Sequence, residues 1–376
     1  MFSWKNQLSV PLLILCAMLT AACQNTTTET LLSASTLKTP LRISPTEASV
    51  TITKAQQFTT TGGTPPYTYG VFSGGGSMAG ALYTAPSSIG TAVVTVKDAT
   101  GTTLAVLITI VTDANCPTNY IPVPKNTAVG TTADFCVAKY EMKCNNDTSG
   151  VACTGSPASI AVNQPWVNIT QGNAKAACSA LGGQYHLITN AEWMTVARNI
   201  ETTAGNWSSG TVSSGSLNRG HADNAPAATL AASTDDSPCS GTGETCSTSV
   251  WHDQRRTHTL SNGHVIWDLS GNAKEYIDWY VPTGRAASGN AAYLEINSQA
   301  AGGSMALTTF RSNDTALTSG NGIGKYWPGT DSTNGYAARG GHYNNGVSQQ
   351  AGVYLLDLDN ASSGTGSQLG FRCAYQ

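Results

Sequence analysis

Eight cysteines constrain the fold of this chain more than any other feature, because all of them follow residue 115. The chain contains ten cysteines in total, and the other two, Cys16 and Cys23, lie near the N-terminus. An even number of cysteines in an exported chain is typical of disulfides. No Cys-x-x-Cys pair occurs, which argues against a zinc ribbon or a thioredoxin-like site. We therefore expect one part of the chain to be held by disulfides and the other to fold without them. The eight cysteines are Cys116, Cys136, Cys144, Cys153, Cys178, Cys239, Cys246 and Cys373.

The N-terminus has the features of an export signal. Lys5 precedes a short apolar stretch, residues 8–19, that is too short to cross a bilayer as a stable helix. The sequence Thr-Ala-Ala before Cys23 resembles the lipobox of bacterial lipoproteins, which are cleaved before a cysteine that becomes lipidated. An ordinary signal peptide cleaved after Ala22 is the alternative. We predict a signal peptide over residues 1–22 and acyl chains, including palmitate, on Cys23. Because Gln24 rather than Asp follows, we expect a lipid anchor in the outer membrane or at the cell surface.

Composition supports a location outside the cytoplasm and excludes one class of partner. Charged residues make up 11% of the chain, against about 25% in average soluble proteins. The net charge is -3, from 19 basic and 22 acidic residues, and no basic stripe stands out. Nucleic acid is therefore not an expected partner.

Residues 23–113 divide into a tether and a β-rich domain. Residues 23–40 are rich in Thr and Ser without apolar periodicity, which indicates a flexible tether. Residues 41–113 contain the β-branched or aromatic runs SVTIT, YTYGVF, AVVTVKD and LAVLITIV, separated by Gly and Pro. This spacing predicts a small all-β sandwich. The sequence LYTAP before GTAVVTVKD resembles bacterial immunoglobulin-like repeats of surface proteins.

Residues 114–376 contain two predicted helices within a larger α+β domain that is rich in loops. The first begins after the N-cap Thr170 and stops at Gly182, and the second begins with a capping box formed by Thr189 and Glu192. Apolar residues at helical spacing mark the face of each helix that should be buried. These residues are Ala174, Ala177, Cys178 and Leu181 in the first helix and Trp193, Val196, Ala197 and Ile200 in the second.

Five stretches of this domain occur in an order that resembles a known family. They are FCVAKYEMK (135–143), YHLITNAEWMTVARNIE (185–201), VIWDLSGNAKEYIDW (265–279), ARGG (338–341) and LGFRCA (369–374). Together they resemble the formylglycine-generating enzyme, or sulfatase-modifying factor, family over nearly all of residues 116–376. The resemblance implies that the fold is a variant of the C-type lectin-like fold.

The resemblance fails at the residues that carry the family's chemistry. Enzyme members oxidise a sulfatase cysteine with O2 and a copper ion held by two cysteines in a pattern like R-G-G-S-F-x-C-x4-C. Arg339, Gly340 and Gly341 match this pattern, but the two cysteine positions fall on Asn345 and Gln350. Cu(I) prefers thiolate ligands, and amides are weak neutral donors. We therefore expect neither copper nor catalytic residues.

The pairing of the eight cysteines rests on short spacing and on the resemblance. Spacing favours the local pairs Cys144–Cys153 and Cys239–Cys246. Cys116–Cys136 is expected where the domain begins. The lectin-like fold implies Cys178–Cys373, which would join the first helix to the last strand. Connectivity is not determined by sequence alone, because eight cysteines allow many pairings.

The resemblance also implies a structural calcium ion. The positions that match Asp268, Gly271, Ala273 and Glu275 bind calcium in the enzymes through side-chain and backbone oxygens. Calcium takes about six to eight oxygen ligands and tolerates loop geometry. In the alternative interpretation, Glu275 caps a turn and Asp268 is solvated.

The segment 342–360 is predicted to be a ligand-binding surface, with Val353 and Leu355 buried and their neighbours exposed. We interpret the protein as a noncatalytic lipoprotein whose lectin-like head binds an unknown surface protein or glycan. The alternatives are an enzyme on the same fold, with formylglycine-generating activity or an unfamiliar metal, and a structural envelope lipoprotein without a specific ligand. A further alternative is a variable ligand-display protein of a diversity-generating retroelement, which the frame of this loop resembles. The predicted ligand-binding residues are His342, Tyr343, Asn344, Asn345, Gln350, Tyr354 and Asp357.

Overall fold

A computed structural model describes residues 39–111, 116–235, 237–247, 250–283, 285, 290–300, 305–329, 334–345 and 350–376. The predicted signal peptide, Cys23, nearly all of the tether and residues 346–349 of the predicted ligand loop lie outside these residues. The boundary predicted at 113/114 also lies outside them. Within the described residues the chain forms 23 short strands, two α-helices and five 3₁₀ turns, a sheet-rich mixed fold. None of the helices in these residues is both long and apolar enough to span a membrane.

The region from residue 41 to 111 contains only strands and turns. Its largest sheet has four strands in the order β2-β9-β8-β5, and two smaller sheets have the orders β1-β4 and β3-β7-β6. The four β-branched or aromatic runs in the sequence correspond to β2, β5, β8 and β9, so those strand predictions are confirmed. The strands are β1 Arg42–Ser44, β2 Glu47–Thr51, β3 Ala55–Gln57, β4 Thr59–Thr61, β5 Thr68–Ser73, β6 Ser77–Ala79, β7 Leu82–Thr84, β8 Gly90–Lys97 and β9 Thr103–Val111.

Strand β9 shows why this region folds as a sheet with one buried face. Its residues alternate between exposed and buried positions, with Val106, Ile108 and Ile110 in the core and Leu107 53% exposed. The side chains of a strand point alternately to its two faces, so every second residue of this apolar run joins the buried face. That face joins a core made entirely of residues from this region, including Tyr83 and Val94.

The two α-helices of the described residues lie in the second region, where they were predicted. Helix α1, Gln171–Ser179, begins after Thr170, whose side chain accepts a hydrogen bond from Asn173 N. Helix α2, Asn190–Glu201, begins with the predicted capping box of Thr189 and Glu192. Its apolar face is fully buried, as expected: Trp193, Val196, Ala197 and Ile200. The 3₁₀ turns are Thr127–Val129, Ala204–Asn206, Ile296–Ser298, Leu307–Thr309 and Ser319–Asn321.

The strands of this region form four sheets. The largest has six strands in the order β18-β19-β21-β20-β17-β22, and a four-stranded sheet has the order β10-β11-β23-β14. The pairs β12-β13 and β15-β16 complete the set. The strands are β10 Tyr120–Val123, β11 Phe135–Ala138, β12 Lys143–Cys144, β13 Pro157–Ala158, β14 Tyr185–Leu187, β15 Thr257–Thr259, β16 Val265–Trp267, β17 Lys274–Tyr280, β18 Leu294–Glu295, β19 Lys325–Trp327, β20 Tyr336–Gly340, β21 Gly352–Asn360, β22 Leu369–Phe371 and β23 Cys373–Tyr375.

Strand β21 differs from the prediction made for it. Val353 and Leu355 are buried as expected, but Tyr354 and Leu356 are buried as well. The strand lies between β19 and β20 inside the six-stranded sheet, and the Trp193 indole of α2 donates to Val353 O at 2.8 Å. A strand covered on both faces is apolar on both, so the predicted alternation with exposed neighbours was wrong.

Four disulfides connect these elements in the pairs that were expected. Cys178–Cys373 joins α1 to β23 across 195 residues of sequence. Cys116–Cys136 lies where the region begins, with a sequence separation of 20. Cys144–Cys153 and Cys239–Cys246 close loops with separations of 9 and 7. The prediction of a disulfide-bonded C-terminal part is therefore confirmed.

Candidate functional site

Strand β20 positions the Arg-Gly-Gly frame at the start of the predicted ligand loop. The Arg339 guanidinium is fully buried and donates to Asn190 Oδ1 at 3.0 and 2.8 Å, and burial lowers its pKa to about 9. Gly340 and Gly341 have φ of 88° and 86°, which L side chains rarely adopt. A Cβ on Gly341 would lie 2.8 Å from Ala351 Cα. These residues determine the path of the loop and are too enclosed to bind a ligand themselves.

Asn345 and Gln350 occupy the two places where the family pattern has cysteines, and they contact each other. Asn345 Nδ2 donates to Gln350 Oε1 at 2.8 Å, while Asn345 Oδ1 accepts from His342 N at 2.9 Å. Gln350 N donates to Asn345 O at 3.1 Å. The two amides therefore close the base of the loop with neutral hydrogen bonds. Asn345 is 5% exposed, so it supports the residues of the surface but contributes almost no exposed area itself.

The next residues of the loop differ in exposure. His342 is half-buried, and burial, with Lys274 as a further cause, lowers its pKa to about 4. Tyr343 is 9% exposed and stacks on the His221 ring at 6.1 Å between centroids. Asn344 is exposed, and Gln350 is half-buried. His342 is therefore neutral at physiological pH, and a ligand could reach His342, Asn344 and Gln350.

Two further predicted ligand residues, Tyr354 and Asp357, are also buried, and they hold the sheet together. Tyr354 has no exposed surface, and its hydroxyl donates to the Glu201 carboxylate of α2. Asp357 is 6% exposed and accepts from Lys274 Nζ at 2.5 Å. Both lie on β21, whose two faces are covered, so their prediction as ligand contacts was wrong for the same reason as the predicted alternation.

The accessible surface also includes two aromatic residues that were not predicted from the sequence. Tyr293 and Trp327 pack with ring centroids 4.7 Å apart, and both are half-buried. Burial raises the pKa of the Tyr293 hydroxyl. No sequence motif marks them, because Tyr293 lies in a loop and Trp327 ends the short strand β19. We call the set Tyr293, Trp327, His342, Asn344 and Gln350 the aromatic-amide surface.

The predicted calcium ligands lie in a cluster of buried ion pairs. Asp268 receives two hydrogen bonds from Arg256, at 2.8 and 2.6 Å. Glu275 receives two from Arg372, at 3.0 and 2.6 Å. Both carboxylates are already neutralised by a guanidinium, and a cation between them would be repelled by two arginines. As arranged here, these residues do not fit a calcium ion.

The backbone of the same segment is also engaged. Gly271 N donates to Gly340 O at 3.2 Å, which ties the segment to the Arg-Gly-Gly frame. Ala273 N donates to Glu141 Oε1 at 2.9 Å. Within the described residues there is no group of three or more His, Cys, Asp or Glu side chains that could hold a metal ion. The N–H groups of Gly271 and Ala273 thus bind within the protein, while the calcium site inferred from the resemblance stays a prediction.

Glu141 extends the cluster to a third carboxylate and a buried amine. Its Oε2 accepts from Asn272 Nδ2 at 2.5 Å and lies 3.8 Å from Lys143 Nζ. Burial raises the pKa of Glu141 and lowers that of Lys143. Lys143 Nζ has no hydrogen-bond partner among the described residues, although its residue is fully buried. Sequence reasoning assigned no role to Glu141, Lys143 or Asn272.

One comparison with known proteins gives a match. Residues 48–376 match the model of the sulfatase-modifying factor enzyme 1-like domain. The match begins within β2, so it includes most of the first strand-rich region as well as the disulfide-bonded one. No curated protein matches the chain.

Proposed function

Because the chain belongs to the sulfatase-modifying factor enzyme 1-like family, we propose that it is a noncatalytic member that displays a ligand-binding head at the cell surface. The observation that carries this proposal is the amide pair of Asn345 and Gln350, hydrogen-bonded at 2.8 Å where the enzymes have two copper-binding cysteines. Cu(I) requires soft ligands, and these amides are neutral and engaged with each other. All eight cysteines after residue 115 form disulfides, so none of them offers a thiolate.

The aromatic-amide surface has the composition of a binding surface. Tyr293 and Trp327 provide ring area at low entropic cost, and the side chains of Asn344 and Gln350 provide adaptable hydrogen bonds. Trp327 ends β19 and Gln350 precedes β21, so two adjacent strands of a buried sheet support the surface. This arrangement, on what we propose to be a lectin-like fold, suits recognition of a protein or glycan.

The lipobox-like sequence before Cys23 supports a lipid anchor, and the Thr-rich residues 23–40 would act as a tether to an immunoglobulin-like domain. We expect the protein to sediment with membranes and to incorporate labelled palmitate. Changing Cys23→Ser should release it in soluble form. Wild-type protein that is already soluble, or palmitate that still labels C23S, would contradict the anchor.

The absence of catalysis can be tested directly. Purified protein should bind no Cu(I) tightly and should convert no sulfatase-type cysteine peptide to formylglycine. The double variant Asn345→Cys with Gln350→Cys is a matched control, because it restores the two thiols on the same frame and should raise copper affinity. Formylglycine in a peptide treated with wild-type protein would overturn the proposal.

Ligand binding can be tested on glycan and protein arrays probed with the purified chain. For a ligand found there, Trp327→Ala or Tyr293→Ala should weaken binding by about 1–3 kcal/mol, which is typical of an aromatic anchor. Phe72→Ala is the control, because Phe72 is an aromatic residue that is 78% exposed on the first region. Equal affinity of W327A, Y293A and the wild type would place the binding site elsewhere.

A further inference from the structure

The buried amine of Lys143 has no hydrogen-bond partner in the part of the chain that the structure describes, and burying an amine in this way is costly. Its residue has no exposed surface, and Glu141 Oε2 lies 3.8 Å from Nζ, beyond hydrogen-bond distance. Burying a charged amine without hydrogen bonds costs several kcal/mol, about as much as the fold gains from one or two core side chains. A buried lysine in this situation is driven toward its neutral form, which is a nucleophile.

The carboxamide of Asn272 contacts the same carboxyl group, that of Glu141. Asn272 Nδ2 donates to Glu141 Oε2 at 2.5 Å, and Asn272 Oδ1 accepts from Leu230 N at 2.7 Å. Asn272 and Glu141 are buried, with 0% and 1% exposure. Two hydrogen bonds thus hold the Asn272 carboxamide: its nitrogen donates to the Glu141 carboxyl group, and its oxygen accepts from a backbone N–H. Glu141 Oε2 is the atom that both Asn272 Nδ2 and Lys143 Nζ approach.

We propose that the side chains of Lys143 and Asn272 become joined by an amide bond within the folded chain, with Glu141 transferring the proton. Lys143 Nζ attacks Asn272 Cγ, and a C–N bond forms while negative charge develops on Oδ1, where Leu230 N–H stabilises it. Glu141 accepts a proton from Nζ and returns it to Nδ2. The Cγ–Nδ2 bond then breaks and ammonia leaves. The reaction needs no oxidant or other co-reactant.

The neighbouring carboxylates are poorer partners for the amine. Both oxygens of Asp268 are bound by Arg256, and consuming that carboxylate would leave a buried guanidinium without its counterion. Glu141 would have to lose an oxygen as water while it accepts hydrogen bonds from Ala273 N and Asn272 Nδ2. Asn272 loses only ammonia. The product replaces a buried amine by a neutral amide whose N–H can still donate to Glu141.

The test is the mass of the purified full-length chain after its disulfides are reduced. The wild-type mass should be lower than the sequence mass, after signal processing and lipid are accounted for, by one ammonia. A tryptic digest should contain a branched peptide that joins residues 143 and 272, since trypsin does not cleave after an acylated lysine. Lys143→Arg and Glu141→Gln should lack the branched peptide, whereas the control Lys175→Arg, at a lysine that is 48% exposed, should retain it.

Two results would overturn the proposal, and neither depends on how the variants fold. The first is a digest of folded wild-type protein in which Lys143 and Asn272 are found in separate, unmodified peptides. The other is the loss of one water with a branch at Glu141 or Asp268, which would mean that a carboxylate and not the carboxamide had reacted.

Discussion

The strand-rich region 41–111 buries mainly aliphatic and aromatic side chains and one carboxylate, Asp98, whereas the region 116–376 also buries arginines, a lysine and several carboxylates. The first region contains no cysteine, and its core is one cluster that includes Val50, Phe58 and Ile108. Among its described residues, the second region has four disulfides and two buried bidentate pairs, Arg256–Asp268 and Arg372–Glu275. The difference follows from how much of each region is regular sheet.

Buried arginines supply hydrogen bonds to backbone carbonyls in the loops and at the ends of strands. Arg256 donates to the backbone oxygens of Leu230, Ala231 and Ser240, and Arg372 donates to those of Ala138 and Trp267. A guanidinium carries five N–H donors in a rigid fork, so one side chain can satisfy carbonyls from several segments: loops for Arg256, and the ends of β11 and β16 for Arg372. A region with long buried loops therefore depends on a few polar side chains, whereas a sheet distributes its stability over many apolar ones.

The long disulfide should give the largest effect that separates the two regions. Replacing Cys178 and Cys373 together by Ala should lower the free energy of unfolding by about 5 kcal/mol, since the bridge closes a loop of almost two hundred residues. The matched control replaces Cys144 and Cys153, whose loop is short, and should cost only about 2.5–3 kcal/mol. Urea titration of the two variants measures both values. Equal losses would show that chain entropy does not determine the contribution of these bridges.

Breaking one buried ion pair should have an effect nearly as large. Arg372→Met leaves the Glu275 carboxylate buried and unpaired, which costs about 3–5 kcal/mol. Lys175→Met is the control, because its pair with Asp278 is 48% and 37% exposed and should contribute less than about 1 kcal/mol. Thermal unfolding followed by near-ultraviolet circular dichroism distinguishes the two. A loss for R372M as small as that for K175M would refute the stabilising role assigned to the buried arginines.

The first region should respond to loss of volume instead. Ile108→Ala removes a fully buried side chain from β9 and should cost about 2–5 kcal/mol. Leu107→Ala on the same strand is the control, since Leu107 is 53% exposed and its change should be within about 0.5 kcal/mol. Both variants should be equally sensitive to reducing agents, because this region has no cysteine. A comparable cost for L107A would mean that the other face of β9 is also packed.

The elements that could be predicted are those whose information is local. Helix α2 was predicted because its capping box and its apolar period lie within thirteen residues, and β9 because it is a run of β-branched and other apolar residues bounded by turn residues. The two short-range disulfides were predicted by spacing. Strand β21 was misread, since GVYLLDLDN contains both apolar and acidic residues and only the tertiary structure shows that Lys274 neutralises Asp357. An acidic residue in a strand therefore does not establish an exposed face.

The candidate site was only partly predictable for a related reason. The Arg-Gly-Gly frame and the two amides are adjacent in sequence, and their positions were identified. Tyr293 and Trp327 reach the same surface from other segments, and nothing near them in sequence indicates it. Asp268 and Glu275 were predicted as calcium ligands from the family resemblance, and the sequence does not show the arginine that pairs with each carboxylate. The arginine that binds Glu275 lies 97 residues away.

The smallest predicted effect depends on pH and can arise only in the second region, because all six histidines follow residue 115. His186 Nε2 lies 2.8 Å from Glu192 Oε1, and this hydrogen bond raises the pKa of His186. A histidine with a raised folded-state pKa stabilises the fold below its unfolded pKa of about 6.5 and loses that contribution as pH rises through the folded value.

Since the His186 side chain is 31% exposed, we expect its pair with Glu192 to contribute less than about 1 kcal/mol to the free energy of unfolding. The unfolding free energy of the wild type minus that of His186→Gln should therefore be larger at pH 6 than at pH 9. Buried His258, whose pKa is lowered to about 3, has the opposite slope, but it is present in both proteins and cancels in the difference. A difference that does not change with pH would show that the pair with Glu192 does not depend on the charge of His186.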